Sequence, residues 1–173
     1  MMKKHCSTMD FDGSMAATGS VDEKIVARML KRPYFDQKPP KTVDRDEFSA
    51  RLAENTEGLS VADGAATLTA FCAECVVKAC DFLPEAPKRW IVCGGGAHNP
   101  TLMRMIRQRL NAPVDIAREV KWDGDFIEAQ GFAFLAVKSL FGLPFSFPST
   151  TGVPHSMCGG MRHDAANVSK KIR

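Results

Sequence analysis

Gly94-Gly95-Gly96-Ala97-His98-Asn99-Pro100 is the stretch whose residue types could do chemistry. Three successive glycines remove the side chains that keep a ligand away from backbone. Behind them Asn99 stands where a helix N-cap belongs, with Pro100 at the first helical position. Ahead of them the apolar run Trp90 to Cys93 has the length of a buried strand. Strand, glycine turn and helix start together aim unpaired N–H groups and the positive end of a helix dipole at one point. A phosphate or the sugar of a nucleotide suits such a place. So does a tight strand-to-helix turn that binds nothing.

Glu128 is the second candidate. Asp125-Phe-Ile-Glu128 has capping-box spacing, and a carboxylate in a first helical turn is favoured by the dipole. Its other oxygen is free to meet a polar substrate in a cleft. Cys72-Ala-Glu-Cys75 has the spacing of a redox pair or half a zinc site, but no second ligand pair stands at zinc-like spacing. It falls in a helical pattern whose face comprises Val61, Ala65, Leu68, Cys72, Cys75, Val76 and Ala79, so both cysteines read as core residues. His155, Cys158 and His163 lack a fourth ligand. No metal site is expected.

These residues need elements to hold them. Leu102, Met103, Ile106 and Leu110 share one face of a helix behind Pro100, and Pro113 to Ala117 reads as a second short strand. Strand, helix and strand within about thirty residues form a βαβ unit with parallel strands. In open α/β sheets ligands sit beyond the carboxyl ends of the strands, which is where the glycines lie. Upstream, residues 1–19 read as irregular, and Ser20-Val-Asp-Glu23 opens a helix striped by Ile25, Val26, Met29 and Leu30. Asp44 to about Asn55 reads as a short polar helix. Ser60-Val-Ala-Asp63 opens a long helix running to about Phe82. Phe126 to Phe141 is apolar nearly all round and is expected to be buried on several sides. From Phe145 onward the pattern is loop-like.

The composition suits a folded domain: 173 residues, 45% hydrophobic, 25% charged, with a net charge of +3. That charge is too small to argue for nucleic acid, and the basic tail Lys170-Lys171-Arg173 reads as a solvated end. No apolar run approaches the roughly twenty residues that span a bilayer. The N-terminus lacks the apolar region of a secretory signal. A cytoplasmic protein with reduced thiols is therefore expected.

Four separated motifs carry a resemblance over nearly the whole chain. They are Asp10-Phe-Asp-Gly13 with Ala16-Ala-Thr-Gly19, Pro33-Tyr-Phe35 with Pro39-Pro-Lys41, Val92 to Pro100, and Asp123-Gly-Asp-Phe-Ile-Glu-Ala-Gln130 with Gly142-Leu-Pro144. In this order they resemble the C-terminal part of the anhydro-N-acetylmuramic acid kinase family. The resemblance implies an α/β fold: an incomplete ribonuclease-H-like, actin-like ATPase C-terminal domain with a βαβ unit and flanking helices. It implies an irregular segment over 1–58 and a nucleotide-binding lobe over 59–173. The implied reaction uses ATP with Mg2+ and water to convert 1,6-anhydro-N-acetylmuramic acid to N-acetylmuramic acid 6-phosphate in cell-wall recycling. Gly94, Gly95, Gly96 and Asn99 would contact the nucleotide, and Glu128 the sugar or the catalytic water.

The family's glycine-rich phosphate loop and its Asp-Thr-Gly-Pro-Gly-Asn motif, which carries the base aspartate, have no counterpart here. The expectation is accordingly a C-terminal half, inactive without the missing N-terminal half, with a separate N-terminal half or a second copy of the chain as its partner. A non-catalytic nucleotide-binding or regulatory module is the alternative. A dinucleotide-binding half-domain with Asp115 on the ribose is weaker, because its fingerprint needs a glycine where Asn99 stands.

Overall fold

The computed structural model describes residues 9–163 except 45, 47, 48, 50, 51 and 53. Compactness divides the chain into a unit ending at Ile127 and a unit starting at Glu128. The tail Lys170-Lys171-Arg173 and much of the helix expected from Asp44 to Asn55 lie outside the described residues.

In the first unit a turn of 3-10 helix, Phe11–Gly13, leads into helix α1, Ser14–Thr18. The stretch expected to be irregular is thus partly helical, because the Asp10 carboxylate accepts from Met15 N at 2.8 Å and Ala16 N at 3.0 Å and starts the helix. Helix α2, Glu23–Leu30, buries Ile25, Val26 and Met29 as its stripe predicts. Its cap is Asp22 rather than Ser20: the carboxylate accepts from both Lys24 N and Ile25 N at 3.0 Å. A short helix α3, Pro33–Asp36, follows.

Helix α4, Val61–Ala79, is the scaffold. Ser60 Oγ caps it by accepting from Asp63 N at 3.0 Å. The Asp63 carboxylate in turn accepts from Ser60 Oγ and from Ser20 N, which holds its carboxyl below the ordinary range. The buried face consists of Gly64, Ala66, Thr67, Ala70, Phe71 and Ala73. This corrects the expected face: Cys72 is exposed and Cys75 only half-buried. The small residues win the inward positions because they let neighbouring helices approach the α4 backbone. Burial, with smaller contributions from Cys72 and Glu74, pushes the Cys75 thiol up to about 12, which disfavours the nucleophilic thiolate.

Strand β1, Trp90–Val92, pairs in parallel with strand β2, Val114–Ile116, in the register Trp90–Val114, Ile91–Asp115 and Val92–Ile116. Helix α5, Pro100–Arg109, makes the crossover. It buries Met103 and Ile106 as expected, and also Thr101 and Met105. Trp90, Val92 and Ile116 pack on the core formed by α2, α4 and α5, while Ile91 faces outward. Arg109, mostly covered, ties the layers by donating to Glu74 and Glu23 at 2.8 Å each.

The second unit contains most of helix α6, Ile127–Leu140, then α7, Pro148–Thr151, and an antiparallel bridge between Ser146 and Met157. The expected burial of α6 is not found. None of its residues is buried, and Phe132 and Phe134 are 66% and 60% exposed. An all-round apolar pattern marks a helix that gains from cover without saying what supplies it.

Gly19 marks how closely α4 is approached. A Cβ there would lie 2.0 Å from the Ala62 carbonyl oxygen. Since backbone must move to admit it, Gly19→Ala is expected to lose about 2–3 kcal/mol in urea unfolding. Gly95→Ala, whose added Cβ meets nothing within 4 Å, should change stability by less than about 1 kcal/mol.

Candidate functional site

The parallel arrangement brings two turns to the same edge of the sheet. After β1 the chain turns at Gly94, whose φ of +75° is costly for a side-chain-bearing residue. It then runs through a 3-10 turn, Gly95–His98, before Asn99 caps α5. After β2 it runs through the 3-10 turn Ala117–Val120 into Lys121, which holds a left-handed φ of +63°. Two backbone hydrogen bonds fix that corner: Lys121 N donates to Arg118 O at 3.0 Å and Trp122 N to Ala117 O at 2.9 Å. Glu119 is turned back on its own strand, its Oε2 accepting from Ile116 N at 2.7 Å. Gly94 N donates to Gly124 O at 3.2 Å and closes the two turns on each other.

Between them lies a pocket of about 530 Å³. Cys93, Gly94, Ala97 and His98 form the wall after β1, and Ala117, Arg118, Lys121, Trp122, Asp123, Gly124 and Asp125 form the wall after β2. Gly124 is needed for the close fit: a Cβ there would meet that of Ala117 at 3.2 Å. Two cations, two carboxylates, an indole that is 56% exposed, and an exposed thiol therefore share one concave surface. Such a surface can hold an anionic group on Arg118 and Lys121 and a flat ring on Trp122.

Of the residues singled out by sequence, Gly94 lines this pocket, while Gly95 and Gly96 follow it in the turn, outside the lining. Asn99 is turned the other way. Its Oδ1 accepts from Leu102 N at 2.9 Å, and the side chain packs so closely on Gly13 that a Cβ there would lie 2.3 Å from the same oxygen. Thr101 Oγ1 donates to Gly13 O at 2.9 Å beside it. Glu128 belongs to the second unit, exposed in the first turn of α6, whereas the pocket lies wholly in the first. Asp125 has the spacing of a helix cap, but its Oδ1 lies 2.7 Å from His98 Nε2. Asp115 receives a hydrogen bond from Arg89 Nε, which engages the carboxylate that a dinucleotide reading assigns to ribose. Cys158 donates to Gly142 O, and no cluster of three or more metal-ligating side chains occurs among the described residues. Likewise no helix among them is long and apolar enough to cross a membrane.

Arg118, Lys121 and Trp122 escaped the sequence reading. The available signal was topological: in a βαβ unit the turn after the second strand returns to the edge that carries the turn after the first.

Residues 1–163 match the family described as anhydro-N-acetylmuramic acid kinase. The kinase of that name from Methylobacterium nodulans is 49% identical over 161 residues, 93% of this chain and 42% of the relative. That of Mesorhizobium japonicum is 49% identical over 157 residues, 91% and 42%. The Rhodospirillum rubrum kinase is 45% identical over 168 residues, 97% and 44%. The chain thus spans less than half the length of the curated relatives it matches. The expectation of a C-terminal half, inactive for want of an N-terminal one, is corrected here: the comparisons assign the matched 42% to the N-terminal part of the kinases.

The cap geometry predicts that Asn99→Ala costs about 1 kcal/mol in chemical unfolding, while Asn99→Asp, which keeps an oxygen acceptor, stays close to the parent. Equal loss in both would contradict the capping role.

Proposed function

The chain belongs to the anhydro-N-acetylmuramic acid kinase family, and from that premise we propose that its first unit carries the nucleotide side of an ATP-dependent sugar kinase. The proposed reaction converts 1,6-anhydro-N-acetylmuramic acid, ATP and water to N-acetylmuramic acid 6-phosphate and ADP. The observation that carries the reading is the pocket at the carboxyl ends of both strands, with a glycine turn on one wall and Arg118 and Lys121 on the other. Phosphoryl transfer depends chiefly on positioning and on cations placed where phosphate charge lies. Arg118 and Lys121 supply those cations, and Trp122 offers its face to the base. Gly94 sets the path of the glycine turn, and Gly95 and Gly96 stay in the proposal on the resemblance alone. Asn99 acts through α5 by fixing where that turn ends.

Mg2+ prefers oxygen ligands, keeps several waters and binds mainly through substrate phosphates with one or two carboxylates. Asp123 is the lining carboxylate with suitable chemistry, since Asp125 is held by His98. When bound, the ion neutralises phosphate charge. Glu128 remains in the proposal on the resemblance alone, as a carboxylate for the sugar or for water.

Calorimetric titration with MgADP tests the site. Arg118→Ala with Lys121→Ala should weaken binding at least about tenfold, since charge-assisted contacts to phosphate are worth more than neutral ones. Circular dichroism should be unchanged, because both side chains are exposed. Equal affinity in parent and variant would overturn the assignment.

A further inference from the structure

His98 and Asp125 both line the pocket and stand 27 positions apart, one on each of its walls. His98 ends the 3-10 turn that follows Gly94; Asp125 follows Gly124. Their side chains meet at 2.7 Å, close in sequence to the backbone bond from Gly94 N to Gly124 O. The walls are therefore joined twice, once by backbone and once by side chains. The side-chain link is 64% exposed on the histidine and 60% on the aspartate. In water such a pair adds little to stability, and both of its members line the pocket.

We propose that His98 and Asp125 form a positioning pair for the nucleotide: Asp125 fixes the imidazole at the rim, where its second nitrogen meets a phosphate oxygen, so that nucleotide affinity rises as the ring becomes protonated. The proposal rests on the nucleotide reading of the pocket. The chemistry follows from the ring's two nitrogens. An ionised carboxylate only accepts hydrogen bonds, so Nε2 carries a proton toward Asp125 and Nδ1 is the ring's remaining polar atom. In the neutral ring Nδ1 is an acceptor and faces a phosphate oxygen unfavourably; in the protonated ring it is a donor with a positive charge behind it. The other ionisable groups around the ring are Arg118 and Lys121 on the turn after β2, Asp123 on the following segment, and the Cys93 thiol at the end of β1. A phosphate bound beside the ring adds negative charge there, and negative charge nearby favours the protonated imidazole. Protonation and nucleotide binding then favour each other.

The test is MgADP titration at about pH 6 and about pH 8, on either side of the histidine range, for the parent, His98→Gln and Asp125→Asn. ADP itself titrates in this interval, so the readout is the ratio of affinities at the two pH values compared between proteins. The parent ratio should exceed that of His98→Gln by about threefold or more, with Asp125→Asn in between because the ring is no longer fixed. Nitrogen NMR of the histidine ring should show a hydrogen-bonded Nε2 proton in the parent that Asp125→Asn disturbs. A parent and His98→Gln with the same ratio would reduce the pair to a surface ion pair while leaving the pocket's nucleotide role standing. Absence of MgADP binding by the parent at both pH values would overturn the nucleotide reading, and this proposal with it.

Discussion

Close approach to the α4 backbone governs the first unit. Ala66, Ala70 and Ala73 are completely buried, and Gly19 leaves no room for even a methyl group against Ala62. With so little side chain between them, α1, α2 and α5 sit against α4 at distances set by backbone and short side chains. Phe71 fills the remaining space, its ring 5.9 Å from that of Phe35 and perpendicular to it. Once α5 is seated, its N-terminus and the strand that follows it are seated as well. Asn99, clasped between Leu102 N and Gly13, converts that packing into a defined end for the glycine turn. A two-stranded parallel sheet has little stability of its own, so the strand ends stay in place because the helical layer holds them.

The pocket is the outcome of this placement more than of any motif. Parallel pairing forces the turns after β1 and β2 to one edge, and local geometry then sorts the charges. Glu119 is withdrawn into a bond with Ile116 N, which leaves Arg118 and Lys121 as the charges of that turn in the lining. Lys121 keeps a left-handed conformation that costs a non-glycine residue roughly 1–2 kcal/mol. Glycine would adopt the same conformation freely, but without the cation.

Much of this was legible in the sequence because it is local. Trp90 to Val92, the Asn99 cap, Pro100 and the βαβ order follow from short patterns whose physics does not depend on the rest of the chain. The Ser60 cap was legible for the same reason. Competition between nearby candidates was not: Asp22 rather than Ser20 caps α2 because its carboxylate reaches two amides at once. The buried face of α4 was misread because hydrophobicity favours Leu68 and Cys72, whereas close packing selects alanine and glycine. Arg118, Lys121 and Trp122 carry no motif at all; only the topology brings them to the glycine turn. Four motifs in register identify the family, but the residues do not carry where in a longer relative they fall, and the reading of a C-terminal half failed on that point.

The central claim is that the nucleotide occupies the edge where both strands end. Amide chemical-shift mapping of the chain titrated with MgADP tests it directly. The account predicts perturbations concentrated at Cys93–Ala97 and Arg118–Asp125, with α2 and α3 unmoved. Saturable shifts centred elsewhere in the first unit, with these two turns silent, would contradict it.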